Sequence, residues 1–357
     1  MRIFVALIVF LAACSLSSPS GNVVSGDSLI IPANESAQSA FERELRAFGE
    51  NPAKRAMYEK YVDKIGANGL LDGVEKVYSE CHGQAHDIGK VIFAKTKNVG
   101  ESLEVCAQRC YSGCMHGVLM EAFKDDGIGD EEGHIDVDKL KTKLNGLCFE
   151  NEEMAKYGPG ECAHGVGHTV MFLSGYRVQK ALDACTGFDK DAMAYYCADG
   201  AYMEYLTANV WDDSGKSKFY PCDAFKYPAA CMRTKVGMAA KGWYDAGDDY
   251  KRVIAECAAL NGSLRFGCFH GLGTSHSRFL VNGDLSIIDL CKQGTENDAL
   301  ACVEGALEFI GKYWPNKHPR ICAPLETTNR ELYDKCLKAG EGKLYRLDKD
   351  LTLYLQK

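Results

Sequence analysis

One tetrapeptide recurs along this chain at nearly constant spacing, and its cysteine has a second cysteine a short way upstream. The fullest form is Cys162-Ala163-His164-Gly165, and Cys114-Met115-His116-Gly117 and Cys268-Phe269-His270-Gly271 repeat it. Cys197-Ala198-Asp199-Gly200 and Cys302-Val303-Glu304-Gly305 keep the frame with an acid in place of the histidine. Cys231 and Cys336 continue it in degraded form, and Gln84-Ala85-His86-Asp87 fits upstream without the cysteine. After a longer first interval that holds an acidic, Gly-rich insert, the spacing stays between 34 and 37 residues. A period of this size suits one helix–turn–helix unit that buries its apolar face only against its neighbours.

The upstream cysteines give each unit a staple. Cys148, Cys185, Cys222, Cys257, Cys291 and Cys322 precede Cys162, Cys197, Cys231, Cys268, Cys302 and Cys336 respectively. The first member closes an outer amphipathic segment, and the second opens an inner one; apolar residues in both recur at helical spacing. The expected fold is therefore all-α, a tandem array of disulfide-stapled hairpins. It closes into an α/α toroid or, failing closure, forms an open solenoid. Each local loop contributes on the order of 3 kcal/mol in the chain-entropy picture. Cys81, Cys106, Cys110 and Cys114 are left, and Cys81–Cys110 with Cys106–Cys114 is the pairing we expect. The glycine three positions after each motif cysteine reads as room for the outer helix of the same repeat to pack closely.

The N-terminus indicates the compartment. Arg2 is followed by a short apolar run that ends in Leu11-Ala12-Ala13-Cys14. A charged start, a short apolar stretch and small residues mark a secretory signal peptide, here 1–13. Leu-Ala-Ala-Cys resembles the lipobox of prokaryotic lipoproteins. That resemblance implies cleavage before Cys14, lipid on Cys14, and a membrane anchor facing the periplasm or the cell surface. Residues 14–36 then form the lipidated cysteine with a Ser-, Gly- and Asn-rich tether, and 37–357 a single repeat domain. Seventeen cysteines less Cys14 leave an even sixteen, as an oxidised exported chain requires. A net charge of −8 disfavours nucleic acid as a partner, so the partners left are the membrane through its lipid and an unidentified small molecule or protein.

Helical geometry assigns roles inside the motif. Side chains advance by about 100° per residue, so the position two after the cysteine faces away from the disulfide, and the position six after shares that face. These positions hold His86, His116, His164, His168, His270, Asp199 and Glu304. Neither a solvated face nor an apolar core calls for histidine at one repeated phase. Imidazole with carboxylate suits zinc, iron or manganese, and Met120 and Met203 on the same face would admit copper. His164 and His168, one turn apart, are the strongest local pair, while His82 stands one turn before His86.

The period is similar to that of Sel1-like cysteine-rich repeats, although the cysteines are spaced differently. The His-Gly pairs at helix starts resemble the inner helices of lanthionine cyclases, an α/α toroid around zinc. That family uses cysteine as a metal ligand, whereas here the motif cysteines serve disulfides. His86-Asp87-Ile88-Gly89-Lys90 resembles the core motif of HD-type phosphohydrolases, without that family's downstream signature. The chain has no serine-nucleophile elbow, no haem-attachment motif and no His-Glu-x-x-His. Two readings follow. One is an extracytoplasmic lipoprotein whose cavity binds a transition metal, with metalloenzyme activity as one form of it. The other is a stapled scaffold or binding module without catalysis.

Overall fold

The computed structural model describes residues 35–48, 55–78, 81–106, 108–130, 132–208, 215–245, 250–342 and 344–355. The signal-like segment, Cys14 and the tether up to residue 34 lie outside them. The described helices all belong to the unit Ala37–Lys357. They are α1 (Ala37–Phe48), α2 (Arg55–Val77), α3 (His82–Thr96), α4 (Val99–Cys106), α5 (Gly113–Asp125), α6 (Val137–Asn145), α7 (Glu152–Tyr157), α8 (Pro159–Leu173) and α9 (Val178–Cys185). There follow α10 (Asp191–Thr207), α11 (Pro228–Asp245), α12 (Tyr250–Ala258), α13 (Gly262–Asn282), α14 (Ile287–Cys291), α15 (Glu296–Tyr313), α16 (His318–Cys322) and α17 (Arg330–Glu341). Among the described residues the only β pairing is an isolated bridge between Gly129 and Ile135, so the protein is all-α.

Two kinds of helix alternate. The inner ones are buried nearly all round: in α8 every residue from Gly160 to Met171 is buried, and in α10 every residue from Ala192 to Tyr202. The outer ones, such as α9 and α14, are short and bury one face. Local chemistry sets the starts. Thr295 and Asp298 form a reciprocal capping box on α15, Asn329 caps α17 through the Leu332 amide, and Pro159 occupies the first turn of α8.

Eight disulfides join neighbouring segments. Six are the repeat staples Cys148–Cys162, Cys185–Cys197, Cys222–Cys231, Cys257–Cys268, Cys291–Cys302 and Cys322–Cys336, and two are Cys81–Cys110 and Cys106–Cys114. The short sequence separations of the staples, 9 to 14 residues, clamp the end of each outer segment to the start of the next inner helix.

The repeated glycine does a different job from the one its spacing suggested. A Cβ on Gly117 would collide with the carbonyl of His86, one on Gly200 with that of His164, and one on Gly305 with that of His270. A second glycine returns the contact: Gly89 meets the Cys114 carbonyl, Gly167 that of Cys197, and Gly273 that of Cys302. The close approach is thus between successive inner helices, α3 with α5, α8 with α10 and α13 with α15, not between an inner helix and its outer partner. The disulfide already holds the outer partner, so the side-chain-free surface is needed where backbone meets backbone.

After α17 the chain returns along the inner helices as a largely irregular segment, 344–355. Tyr345 packs over Gly160, the Tyr196 hydroxyl donates to the Arg346 carbonyl at 2.6 Å, and Tyr354 lies edge-on to Phe266 at 4.5 Å. Helix α15 also reaches earlier parts of the chain. Lys312 pairs with Glu161 of α8, and Phe309 and Tyr313 pack on Tyr111.

Candidate metal centre

Three successive inner helices bring five imidazoles together. His82 and His86 come from α3, His116 from α5, and His164 and His168 from α8. One nitrogen from each of His82, His86, His116 and His168 lies within 4.8 Å of the others. The helical repeat explains the pairs, because residues four apart share a face. The glycine contacts bring α3 against α5, and between α5 and α8 Gly165 lies against the Met115 and His116 side chains, so rings on adjacent helices come close. His116 stacks on His168 with centroids 4.3 Å apart, and His86 meets His168 at 5.1 Å.

Oxygen acceptors orient the rings. Nδ1 of His82 lies 3.1 Å from the Cys110 carbonyl, and Nδ1 of His168 lies 3.0 Å from Oε2 of Glu204. Neither acceptor carries a hydrogen, so in both rings Nδ1 holds the proton and Nε2 presents a lone pair. Glu204 is itself held by the Tyr176 hydroxyl at 3.1 Å, and its Oε2 also lies 3.7 Å from Nδ1 of His86. Nε2 of His86 is 3.0 Å from Nε2 of His82, and Nε2 of His164 is 3.2 Å from Nε2 of His168. Ligand nitrogens around a tetrahedral ion with bonds of about 2.0–2.1 Å stand roughly 3.3 Å apart. The two separations approach that edge. His116 is 1 % exposed and neither of its ring nitrogens has a hydrogen-bond partner, an unusual cost for a buried imidazole that a ligand would remove. His82 is the partly exposed member of the cluster.

Burial disfavours charge on these rings, and neighbouring imidazoles add to the effect. His82 falls to about 3, through burial first and then His168. His86 and His116 lie well below the ordinary histidine range for the same reasons, and burial likewise lowers His164 although Asp199 opposes it. Burial works to raise the Glu204 carboxyl, but the bond from His168, the Lys90 charge and the Tyr176 hydroxyl hold it below its usual range. At neutral pH His82, His86 and His116 are therefore neutral imidazoles and Glu204 is an ionised carboxylate, the protonation states that a metal requires.

Asp199 adjoins this cluster. Its Oδ2 lies 3.0 Å from Nδ1 of His164, outside hydrogen-bond alignment, and accepts a bond of 2.6 Å from Nη1 of Arg233. Tyr345 stacks on the other side of His164 with centroids 4.6 Å apart. His270 and Glu304 stand elsewhere. Nε2 of His270 lies 3.5 Å from Oε2 of Glu308 and 3.3 Å from Nζ of Lys349, while Glu304 accepts from the Tyr354 hydroxyl at 2.7 Å. Among the described residues no ring contact joins His270 to the five clustered histidines. The seven residues named from the sequence are thus divided between two groups. His82, Glu204 and Lys349 were not named with them, although the spacing of His82 and His86 equals that of His164 and His168. Glu204 lies seven rather than six positions after its cysteine, and Lys349 lies beyond the repeat. Met120 is buried, and the phosphohydrolase-like residues Asp87 and Lys90 form an ion pair of 3.3 Å. A broad surface recess of about 880 Å³ between Ile128, Lys143 and Asn151 holds none of the histidines.

Searches among protein-family models, curated proteins and solved structures find no match to this chain. The eight disulfides point to an oxidising, extracytoplasmic environment. Among the described residues no helix is long and apolar enough to cross a membrane.

Proposed function

We propose that the protein is an extracytoplasmic lipoprotein, anchored through Cys14, that binds a transition-metal ion through His82, His86, His116 and His168. The observation that carries this reading is the convergence of four imidazole nitrogens within 4.8 Å, with Nδ1 of His82 and His168 committed to oxygen acceptors so that Nε2 is left as donor. Acceptors behind metal-binding imidazoles fix ring orientation and raise ligand basicity. Glu204 and the Cys110 carbonyl have that role, and His164 is the adjoining fifth ring. An all-imidazole set suits zinc, copper or iron better than calcium or magnesium. Such an ion supplies Lewis acidity or redox chemistry when bound. The reach of α15 and segment 344–355 back to α8 supports an array closed upon itself, the toroidal form of the repeat.

The test is the metal content of protein produced without a polyhistidine tag, followed by titration of the metal-free form with zinc, copper(II), iron(II) and manganese(II). One equivalent bound tightly, and lost in His82→Ala/His86→Ala, is the expected result, with helical circular dichroism and all eight disulfides retained. A correctly folded native chain that binds none of the four metals would leave the non-catalytic scaffold or binding module as the reading. So would a double variant with undiminished metal content.

A further inference from the structure

One of the eight disulfides stands outside the repeat pattern. Cys106–Cys114 joins the end of α4 to the start of α5, as the six staples do elsewhere, so Cys81–Cys110 is an additional bond, with the longest sequence separation of the eight at 29 residues. It lies against the histidine cluster. Cys81 occupies the N-cap of α3, next to His82, and the Cys110 carbonyl accepts from Nδ1 of His82 at 3.1 Å. The bond therefore ties the residue before His82 to the residue that orients its ring.

The backbone on the far side of this bond is held in an unfavourable conformation. Cys110, Tyr111 and Ser112 have φ of 47°, 53° and 61° in succession. Residues with side chains persist in this left-handed region only where their surroundings hold them. Here the disulfide holds Cys110, and Phe309 and Tyr313 pack on Tyr111 at 5.5 Å and 4.8 Å. The bond is also the most accessible of its kind. Cys81 and Cys110 are 7 % and 6 % exposed, and the other fourteen bonded cysteines at most 3 %. Access to the sulfurs governs thiol exchange. Oε1 of Glu75 lies 3.8 Å from Sγ of Cys110 and is held by Arg109 at 2.6–3.0 Å. A disulfide sulfur has no hydrogen to give, so this carboxylate stands ready to accept from Cys110 only once the bond is open.

We infer that Cys81–Cys110 is a reducible lock on His82, opened by a dithiol reductant. One thiolate of the dithiol attacks a sulfur of the pair, a mixed disulfide forms, and the other cysteine leaves as a thiolate and takes up a proton. The second thiol of the reductant loses its proton and displaces the remaining cysteine. Two electrons pass to the protein, which ends with two thiols, and the reductant ends as its own disulfide. Residues 110–112 are then free to return to negative φ, and the Cys110 carbonyl withdraws from Nδ1 of His82. Cys106–Cys114 brackets this stretch, so α4 and α5 stay joined and the change is confined between them. The effect on metal binding rests on the metal-binding reading; the release of His82 does not.

The experiment is a stepwise titration of the folded native chain with dithiothreitol at neutral pH, with thiol alkylation and peptide mapping at each step. Cys81 and Cys110 are expected to be alkylated first, with the other seven disulfides intact. Nitrogen-15 NMR of the chain so opened, freed of reductant, is expected to show the His82 proton, fixed on Nδ1 before opening, now shared with Nε2. Zinc affinity, read by chelator competition on the same sample, is expected to fall about 10–100-fold, and Cys81→Ser/Cys110→Ser should reproduce both effects. Earlier opening of another disulfide overturns the inference, as does a His82 proton that stays on Nδ1. A chain that releases His82 yet binds zinc in neither state upholds the lock and rejects only the metal-binding reading. Should the double variant fail to fold, the native titration decides alone.

Discussion

The two halves of the array share one scaffold and fill it differently. In both, an inner helix bearing histidine is locked to the next by paired glycine–carbonyl contacts, His164 and Gly200 in one half and His270 and Gly305 in the other. In both, the adjoining helix supplies an acid, and a cation meets it. In the first half the cation is Arg233, a permanently charged group on α11 at 2.6 Å from Asp199, and the imidazoles beyond it face one another. In the second the cation is Lys349, a flexible ammonium on a segment outside the repeat. The repeat thus fixes where side chains converge, while the residues at a few inward positions decide whether a site is rich in lone pairs or in opposed charges.

The broadest way to probe that contrast is acid. His82 sits at about 3 in the fold, and His86, His116 and His164 are also lowered, against an ordinary value near 6.5. The folded values are depressed, so the unfolded chain takes the protons first. The stability these groups contribute is complete above pH ~6.5 and is lost as pH falls toward the folded values. Each such histidine adds up to about 1.4 kcal/mol per pH unit within that window. Denaturant unfolding of the metal-free, disulfide-intact protein at stepped pH should show a steep decline below 6.5. His82→Ala/His86→Ala should flatten it more than His270→Ala, which removes a single group lowered to about 4. Equal flattening by the two variants would dissolve the distinction between the halves.

A second perturbation should instead act alike on both halves. Gly117→Ala, Gly200→Ala and Gly305→Ala each set a methyl group against a backbone carbonyl of the preceding inner helix. A carbonyl in a helix cannot swing aside as a side-chain tip does, so the helices must separate. A loss of about 3 kcal/mol is expected at each position, read by urea midpoint. Gly237 has only the Ser275 Cβ at ordinary contact distance, and Gly237→Ala should cost far less. If the three losses were small and equal to that of Gly237→Ala, inner-helix contact would not be what spaces the rings.

Much of this was legible in the cysteines. Their pairing and period announce helical hairpins, because only a local repeat would place Cys185 before Cys197 and Cys291 before Cys302 so regularly. The inward phase of the histidines was equally readable from helical rotation. What the motif could not convey is distance along the array. His116 and His270 carry the same tetrapeptide, yet one joins a five-ring cluster and the other faces Glu308 and Lys349. That difference is made by His82 and His168, additional rings one helical turn away, and by a C-terminal segment with no repeat signature. The glycine role was misread for a similar reason, since sequence spacing shows which face a residue occupies but not which neighbour covers it.

The finest test concerns Glu204, the carboxylate that distinguishes the first site without touching the proposed ion. Its Oε2 accepts from Nδ1 of His168 at 3.0 Å and its Oε1 from the Tyr176 hydroxyl. Glu204→Gln keeps the shape and both contacts but removes the charge behind the His168 ring. The amide can also turn its NH2 toward Nδ1, which moves the ring proton to Nε2 and blocks the donor atom. Changes of this kind lower metal affinity by about 10–100-fold. The native fold should persist, since no volume is lost. Glu308→Gln, in the His270 group, should leave affinity at the histidine cluster unchanged. Isothermal titration of both variants with zinc decides between a carboxylate that orients a ligand and one that only balances charge nearby. If Glu204→Gln binds zinc as the native chain does, His168 needs no charged acceptor behind it, and Glu204 only balances charge near the ring.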